Sequence, residues 1–299
     1  MPRTDRSQPV LEQEREQAPA AVAGLDAPAP VAVDRIVDAA GAPGGPGRIL
    51  VVVSPKGGLG KTTLAANLAV GLGRIAPDSV VLVDADLQFG DIANVLDLDA
   101  PHRIPELVNG LAASDDLVLK ALLAPHPAGF FVAPGAESPV DAERVSPEQL
   151  GALVQRLAAT FRYVIVDTTP GLGEHTLTAL DVATDAIAIS GLAVPNLRAL
   201  RTELAVLRRI GFAPQARHLV LNQAVDPGGL LPRDAEAILQ EPFDVVIPHS
   251  RSVPVSTNRG VPLLLDSPRD PAAKAVVDLI ARITATDAKT LRASMKRSA

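Results

Sequence analysis

The stretch SPKGGLGKTT, Ser54 to Thr63, decides how the rest of the chain is read. It follows the apolar run ILVVVS (49–54) and leads into TTLAANLAVGLGRI (62–75), whose apolar residues recur at helical spacing. A Gly-rich loop between a strand and a helix is the context that gives a phosphate-loop pattern its meaning. Gly57, Gly58 and Gly60 allow the chain to curl so that successive N–H groups point inward, and the helix that follows adds the positive end of its dipole. The loop from Lys56 through Leu59 to Thr63 is therefore read as a nest for the phosphates of a nucleotide. Lys61 is placed to reach the β- and γ-phosphates, and the Thr62 hydroxyl to ligate Mg²⁺. Two features depart from the usual pattern: Pro55 stands where a glycine is expected, and a second lysine, Lys56, precedes the glycines.

Outward from this loop, short β-branched runs alternate with longer helical patterns. The runs are 49–54, 79–86, 129–135, 162–168, 185–193, 216–222 and 243–248, and the helical stretches lie at 62–75, 146–161, 196–212, 232–240 and 270–286. Continuously apolar strands are those buried on both faces, as in a parallel sheet covered by helices. The alternation predicts one doubly wound, mostly parallel α/β domain over residues 48–286, with helices on both faces of the sheet. Residues 1–47 are rich in Ala, Pro, Gly, Glu and Gln and are expected to be disordered; within them VAVDRIVDAA (31–40) places Val33, Ile36 and Val37 at the spacing of a short partner-docking helix, but reads more simply as a slightly apolar piece of linker. Residues 287–299, DAKTLRASMKRSA, read as a frayed, weakly basic tail.

Composition excludes several chemistries. The 299 residues contain no cysteine, which removes disulfides, thiolate metal sites, cysteine nucleophiles and iron–sulfur clusters. A net charge of −6 with six Phe, one Tyr and no Trp leaves neither a basic footprint nor stacking platforms for sequence-specific nucleic-acid reading. No apolar run is long enough to span a bilayer, and the charged N-terminus lacks a signal-peptide core, so a cytoplasmic location is expected.

Pro55-Lys56-Gly57-Gly58 resembles the deviant phosphate loop of the MinD/ParA family of dimerising ATPases. That resemblance assigns Lys56 a role across a dimer interface, touching the nucleotide held by the partner subunit. It extends to VVLVDADLQFGDI (80–92), where it implies that Asp86 orients the attacking water and Asp84 supports the metal site from behind. In RYVIVDTTPGLGE (162–174) it makes Asp167 the Walker B carboxylate, holding Mg²⁺ through water, and Pro170, Gly171 and Gly173 part of a loop that senses the γ-phosphate. Asn222 and the loop after Pro248, in IPHSRSVPVSTNRGVP, fall where the family receives adenine. The implied cofactors are ATP and Mg²⁺, and the implied activity is slow ATP hydrolysis, raised by dimerisation and by a partner.

Within the family, LQFGDIANVLDL (87–98), VDTTPGLGEHTLTALDVATDA (166–186) and LAVPNLRALRTELAVLRRIGF (192–212) look particularly like the TadZ/CpaE group, which localises the assembly machinery of Flp-type (tight adherence) pili. A homodimer in the ATP state and pilus or secretion assembly proteins are the expected partners. The absence of cysteine excludes the family's iron–sulfur members, and a lone Tyr163 inside an apolar run excludes its tyrosine kinases. Leu291 and Met295 are too few apolar residues for a membrane-inserting C-terminal helix. Two rivals stay open. One is a partition ATPase that binds nonspecific DNA through Arg198, Arg201, Arg208 and Arg209, a stripe with only Glu203 as counter-charge; the other is a metabolic ligase sharing the loop.

Overall fold

The computed structural model describes residues 46–212, 214–224, 229–286, 288 and 291. The expected disordered segment up to residue 45, including VAVDRIVDAA, lies outside the described residues, as does most of 287–299. The described chain runs β1 (Arg48–Val53), α1 (Lys61–Ile75) and β2 (Val80–Ala85), then the short helices α2 (Ile92–Val95), α3 (Ile104–Leu107) and α4 (Asp116–Leu122). It continues through β3 (Ala124–His126), β4 (Phe130–Ala133), α5 (Pro139–Ala142), α6 (Pro147–Thr160), β5 (Tyr163–Thr168), α7 (Glu174–Asp181), β6 (Asp185–Gly191) and α8 (Val194–Arg209). The last elements are β7 (Ala216–Ala224), α9 (Pro232–Leu239), β8 (Val245–Pro248), α10 (Ser252–Asn258), α11 (Leu263–Asp266) and α12 (Pro271–Thr284).

The strands form one sheet in the order β3-β4-β2-β5-β1-β6-β7-β8. All neighbours are parallel except the edge pair β3 and β4. This is the doubly wound arrangement that the alternating runs predict. Successive strand residues point to opposite faces, so the two faces can be read from the strands themselves. Leu50 and Val52 of β1 join a cluster with α1, α11 and α12, whereas Ile49, Val51 and Val53 join one with α6, α7 and α8. The same alternation puts Val80 and Leu82 of β2, and Tyr163 and Ile165 of β5, on the α1 side. One step further along each strand come Asp84 and Asp167, which are register partners. Strand periodicity therefore delivers both carboxylates to the end of the sheet where α1 begins.

Helix starts follow local chemistry. The Ser146 hydroxyl accepts from the Gln149 N–H at 3.2 Å while the Gln149 side chain accepts from the Ser146 N–H at 2.9 Å, and Pro147 occupies the first turn. Asp270 caps α12 through the Ala272 N–H at 2.8 Å, again with a proline following. At Leu291, within the segment read as a frayed tail, the side chain is fully buried in the α1 and α12 cluster.

At the opposite end of the sheet from the phosphate loop, Asp185 fastens three strands. Its carboxylate pairs with Arg48 of β1, accepts from the Thr184 hydroxyl at 2.7 Å, and lies 3.2 Å from the His218 Nε2 of β7. Arg48 also donates to the Ile283 carbonyl of α12. Burial pushes the Asp185 pKa up, but the hydrogen bonds from His218, Arg48 and Thr184 outweigh it and hold the group below its ordinary value. A carboxylate depressed in this way contributes stability above its unfolded pKa and loses it as pH falls through the folded value. Asp185→Asn is expected to cost about 3 kcal/mol at neutral pH, because it leaves the Arg48 charge without its buried counter-ion. The difference from wild type should narrow as the pH falls below about 4. Denaturant titrations at pH 7 and pH 3.5 check both statements.

Candidate functional site

The phosphate loop has the curled geometry that its glycines allow. Gly58 and Gly60 adopt φ of 73° and 89°, the left-handed region that side chains disfavour. Gly60 is the N-cap of α1 and gives no side-chain cap, so the first-turn N–H groups of Lys61, Thr62 and Thr63 stay available to an anion. The loop is also tied at its base. The Ser54 hydroxyl donates to the Lys56 carbonyl at 2.7 Å, and the Ser54 carbonyl accepts from the Gly171 N–H at 2.9 Å. The second of these bonds fastens Pro170–Gly173 to the root of the phosphate loop.

The two lysines have opposite environments. Lys61 is 7% exposed. Burial lowers its pKa, with Asp167, Asp86 and Glu203 acting against that shift. Lys56 is exposed and has no ion pair among the described residues.

Three aspartates meet this loop. Thr62 donates to Asp167 Oδ2 at 2.6 Å, while Asp167 Oδ1 is buried with no hydrogen-bond partner among the described residues. Burial raises the Asp167 pKa to about 7, against the Thr62 hydrogen bond and the charge of Lys61. Asp84 is 1% exposed; its Oδ2 accepts from the Ile92 N–H at 3.2 Å, and its Oδ1 is likewise orphaned. Burial, and then the neighbouring Asp167, push its pKa well up. Gly90 allows this approach, since a Cβ there would lie 2.2 Å from Asp84 Oδ1. Asp86 is half-buried; burial raises its pKa, opposed by the Phe89 N–H and by Lys61.

These residues fit a divalent cation. Two buried carboxylates with orphaned oxygens gain most from a positive charge, and a hydroxyl already sits against one of them. Among the described residues no group of three or more His, Asp or Glu is placed to hold a metal alone. Mg²⁺ keeps waters and takes substrate phosphates beside one or two protein ligands. Thr62 and Asp167 would hold it, with Asp84 behind, and it would neutralise charge on the phosphates.

Beside the loop lies a cavity of about 370 Å³ lined by Gly60, Thr63, Asn222, Pro248, Pro254 and Asn258, among others. The structure thus brings Asn222 and Pro248, distant in sequence from the loop, to one wall system beside Gly60. Gly191, paired with Asn222 across β6 and β7, brings the end of that strand pair against Leu59.

A family model described as an AAA domain matches residues 47–195. The septum site-determining protein MinD of Thermotoga maritima is 26% identical over 227 residues, which cover 74% of this chain and 82% of that protein. The structure of MinD from Pyrococcus horikoshii complexed with Mg-ADP aligns with a TM-score of 0.68 at 24% identity, covering 79% of this chain and 95% of the other. A ParA family ATPase from Chlorobium tepidum aligns with a TM-score of 0.72 at 22% identity, covering 78% and 98%. The chain is similar to MinD and ParA-family P-loop ATPases over about three quarters of its length.

The arginine stripe on α8 differs from its sequence reading. Leu197, Leu200, Leu204 and Leu207 form the buried face as the spacing predicts. Arg201, however, donates to the Ile238 carbonyl at the end of α9, and Arg208 pairs with Glu241 at 3.2 Å. Glu203 is not a counter-charge on that surface. It is 5% exposed, its Oε1 has no hydrogen-bond partner among the described residues, and burial raises its pKa to about 7, opposed only by Lys61. A glutamate inside an arginine-rich helix reads as surface, and only the turn-by-turn position beside Leu200, Leu204 and Leu207 marks it as inward.

A raised carboxyl pKa costs stability once the unfolded chain ionises and the folded one resists. Glu203→Gln is therefore expected to change little below about pH 4.5. Its stabilising effect should grow as pH rises towards 7 and level off above, reaching on the order of 2–3 kcal/mol. Thermal denaturation of both proteins between pH 4.5 and 8 checks the profile.

Proposed function

We propose that the chain is an ATP-hydrolysing switch that dimerises around Mg²⁺-bound ATP and positions a cellular assembly, of the Flp-type (tight adherence) pilus or secretion class. The observation that carries the dimeric reading is the split between the two loop lysines. Lys61 is enclosed with the carboxylates, while Lys56 stands at the mouth of the same loop, exposed and without an ion pair. A cation in that place suits a second nucleotide-loaded copy in C₂ symmetry, where each subunit supplies what the other lacks.

The division of labour follows from position. The N–H nest and Lys61 bind the phosphates, Thr62 and Asp167 take Mg²⁺, and Asp86 orients the attacking water. Pro170–Gly173, tethered to Ser54 through the Gly171 N–H, responds to the γ-phosphate. Asn222 and Pro248 receive the adenine beside Gly60. The MinD relatives and the Mg-ADP complex support nucleotide and metal use. The pilus assignment rests on the likeness of residues 87–98, 166–186 and 192–212 to the TadZ/CpaE group. Recruitment through partners suits a chain in which no described helix is long and apolar enough to cross a membrane. The partition reading is weakened because Arg201 and Arg208 are already engaged within the fold.

Addition of ATP and Mg²⁺ is expected to convert monomer to dimer in light scattering. Lys56→Ala should abolish that shift while nucleotide binding persists through Lys61 and the backbone nest. A Lys56→Ala protein that still dimerises fully with ATP would remove the in-trans role. DNA retention that falls with salt and is lost on neutralising Arg198 and Arg209 would favour the partition reading instead.

Asp86→Ala is expected to retain ATP and the dimer while hydrolysis slows, whereas Lys61→Ala loses the nucleotide. Wild-type turnover should be about 10⁻⁴ to 10⁻² per second and rise with protein concentration, because part of the site arrives with the second subunit. Steady-state phosphate release across a concentration series measures it. A fast rate independent of concentration would shift weight to a metabolic ligase.

A further inference from the structure

The end of β7 carries a side-chain device whose reach goes past the base pocket. Asn222 donates from Nδ2 to the Leu59 carbonyl at 2.8 Å, and its Oδ1 accepts from the Gln223 N–H at 2.9 Å. Gln223 has φ of 51°, a conformation that side chains other than glycine's seldom adopt. The β7 and β8 pairing shifts register between Leu221 and Ala224, around this residue. The strained backbone turns the Gln223 N–H back onto the Asn222 amide and fixes which end of that amide faces the phosphate loop. Reversing it would set two acceptors against one another at Leu59 and two donors at Gln223.

The consequence lies in the loop. Peptide planarity makes the Leu59 carbonyl and the Gly60 N–H point in opposite directions. Holding that carbonyl towards β7 therefore aims the Gly60 N–H the other way, away from the strand. Gly60 cannot be replaced beneath the amide, since a Cβ there would lie 2.3 Å from Asn222 Nδ2. Asn222 also lines the cavity beside Gly60, and its second Nδ2 hydrogen has no partner among the described residues.

From this geometry we infer that Asn222 is a positioning residue for the phosphate loop, holding the Leu59–Gly60 peptide in its anion-binding orientation, in addition to facing the base. The inference rests on the nucleotide reading proposed above. It separates from simple base recognition because a strut acts on every ligand with a triphosphate, whatever its base.

The test compares ATP, GTP and inorganic tripolyphosphate, each with Mg²⁺, by competition against a fluorescent ATP analogue. The proteins are wild type, Asn222→Ala and the near-isosteric, uncharged Asn222→Leu, which keeps the shape and removes the donor. Asn222 is half-buried, and both variants are checked for an unchanged melting temperature without ligand. Loss of the strut is expected to weaken all ligands that bind wild type by the same factor, about tenfold, as for one lost hydrogen bond to an ordered loop. Weakening of ATP alone, with GTP and tripolyphosphate unchanged, would overturn the inference and leave the ATPase reading standing. Failure of wild type to bind any of the three would remove that reading itself. If Asn222→Ala unfolds, the Asn222→Leu comparison decides, because it removes the donor without emptying the site or adding a charge that would repel all three polyanions.

Discussion

The register of β5 between β1 and β2 is the constraint on which the rest of the site depends. Val52 of β1 and Asp84 of β2 both pair with Asp167, so one strand position sets the distance of two carboxylates from the phosphate loop. A slip of one residue would turn Asp167 to the opposite face, away from α1, and Thr62 would lose the partner it meets at 2.6 Å. The register is enforced below by Val164 and Val166 on one face and Tyr163 and Ile165 on the other, all buried. The Thr168 hydroxyl adds a bond to the Val52 carbonyl at 2.8 Å at the top of the strand. Packing thus places the chemistry, and no polar interaction in the site has to do so alone.

Placing the acids there has an electrostatic cost that the folded chain leaves uncompensated. Asp84 and Asp167 are desolvated, each with one orphaned oxygen, and Glu203 adds a third buried carboxyl within reach of Lys61. Among the described residues a single buried lysine faces this group, itself weakened by desolvation. Buried carboxyls without partners are expensive, and the Asp185 cluster shows that this same fold pairs such groups when only stability is at stake. The difference between the two ends of the sheet is therefore informative. One end is closed by Arg48, Thr184 and His218, and the other is left open for a cation and an anion to complete.

Much of this was legible in the sequence because it is carried by local rules. The seven continuous apolar runs correspond to β1, β2 and β4 to β8, and the five long periodic stretches to α1, α6, α8, α9 and α12. The edge strand β3 was not legible: its three residues, Ala-Pro-His, carry no alternation and pair only with β4. The four-residue helices after β2 are shorter than two turns, so no period can show. In the site, the phosphate loop and the strand-terminal aspartates are contiguous motifs. Glu203 and the bond from Asn222 to Leu59 depend on which way α8 and the end of β7 face, and that is fixed by contacts more than 100 residues apart for Asn222.

Ser54 joins the parts that must act together. Its hydroxyl holds the carbonyl of Lys56, the outward lysine, and its carbonyl holds the N–H of Gly171, in the loop beyond Asp167. Ser54 itself is wholly buried at the end of β1, so it offers a fixed point between two segments that are exposed at Lys56 and Pro170. A shift of the Pro170–Gly173 loop that breaks or lengthens the Gly171 bond acts on the same residue that anchors Lys56. The Pro170–Gly173 loop and the outward lysine are thereby joined by two hydrogen bonds through one serine. Under the dimeric switch proposed above, that short path would carry the state of the phosphate to the outward lysine.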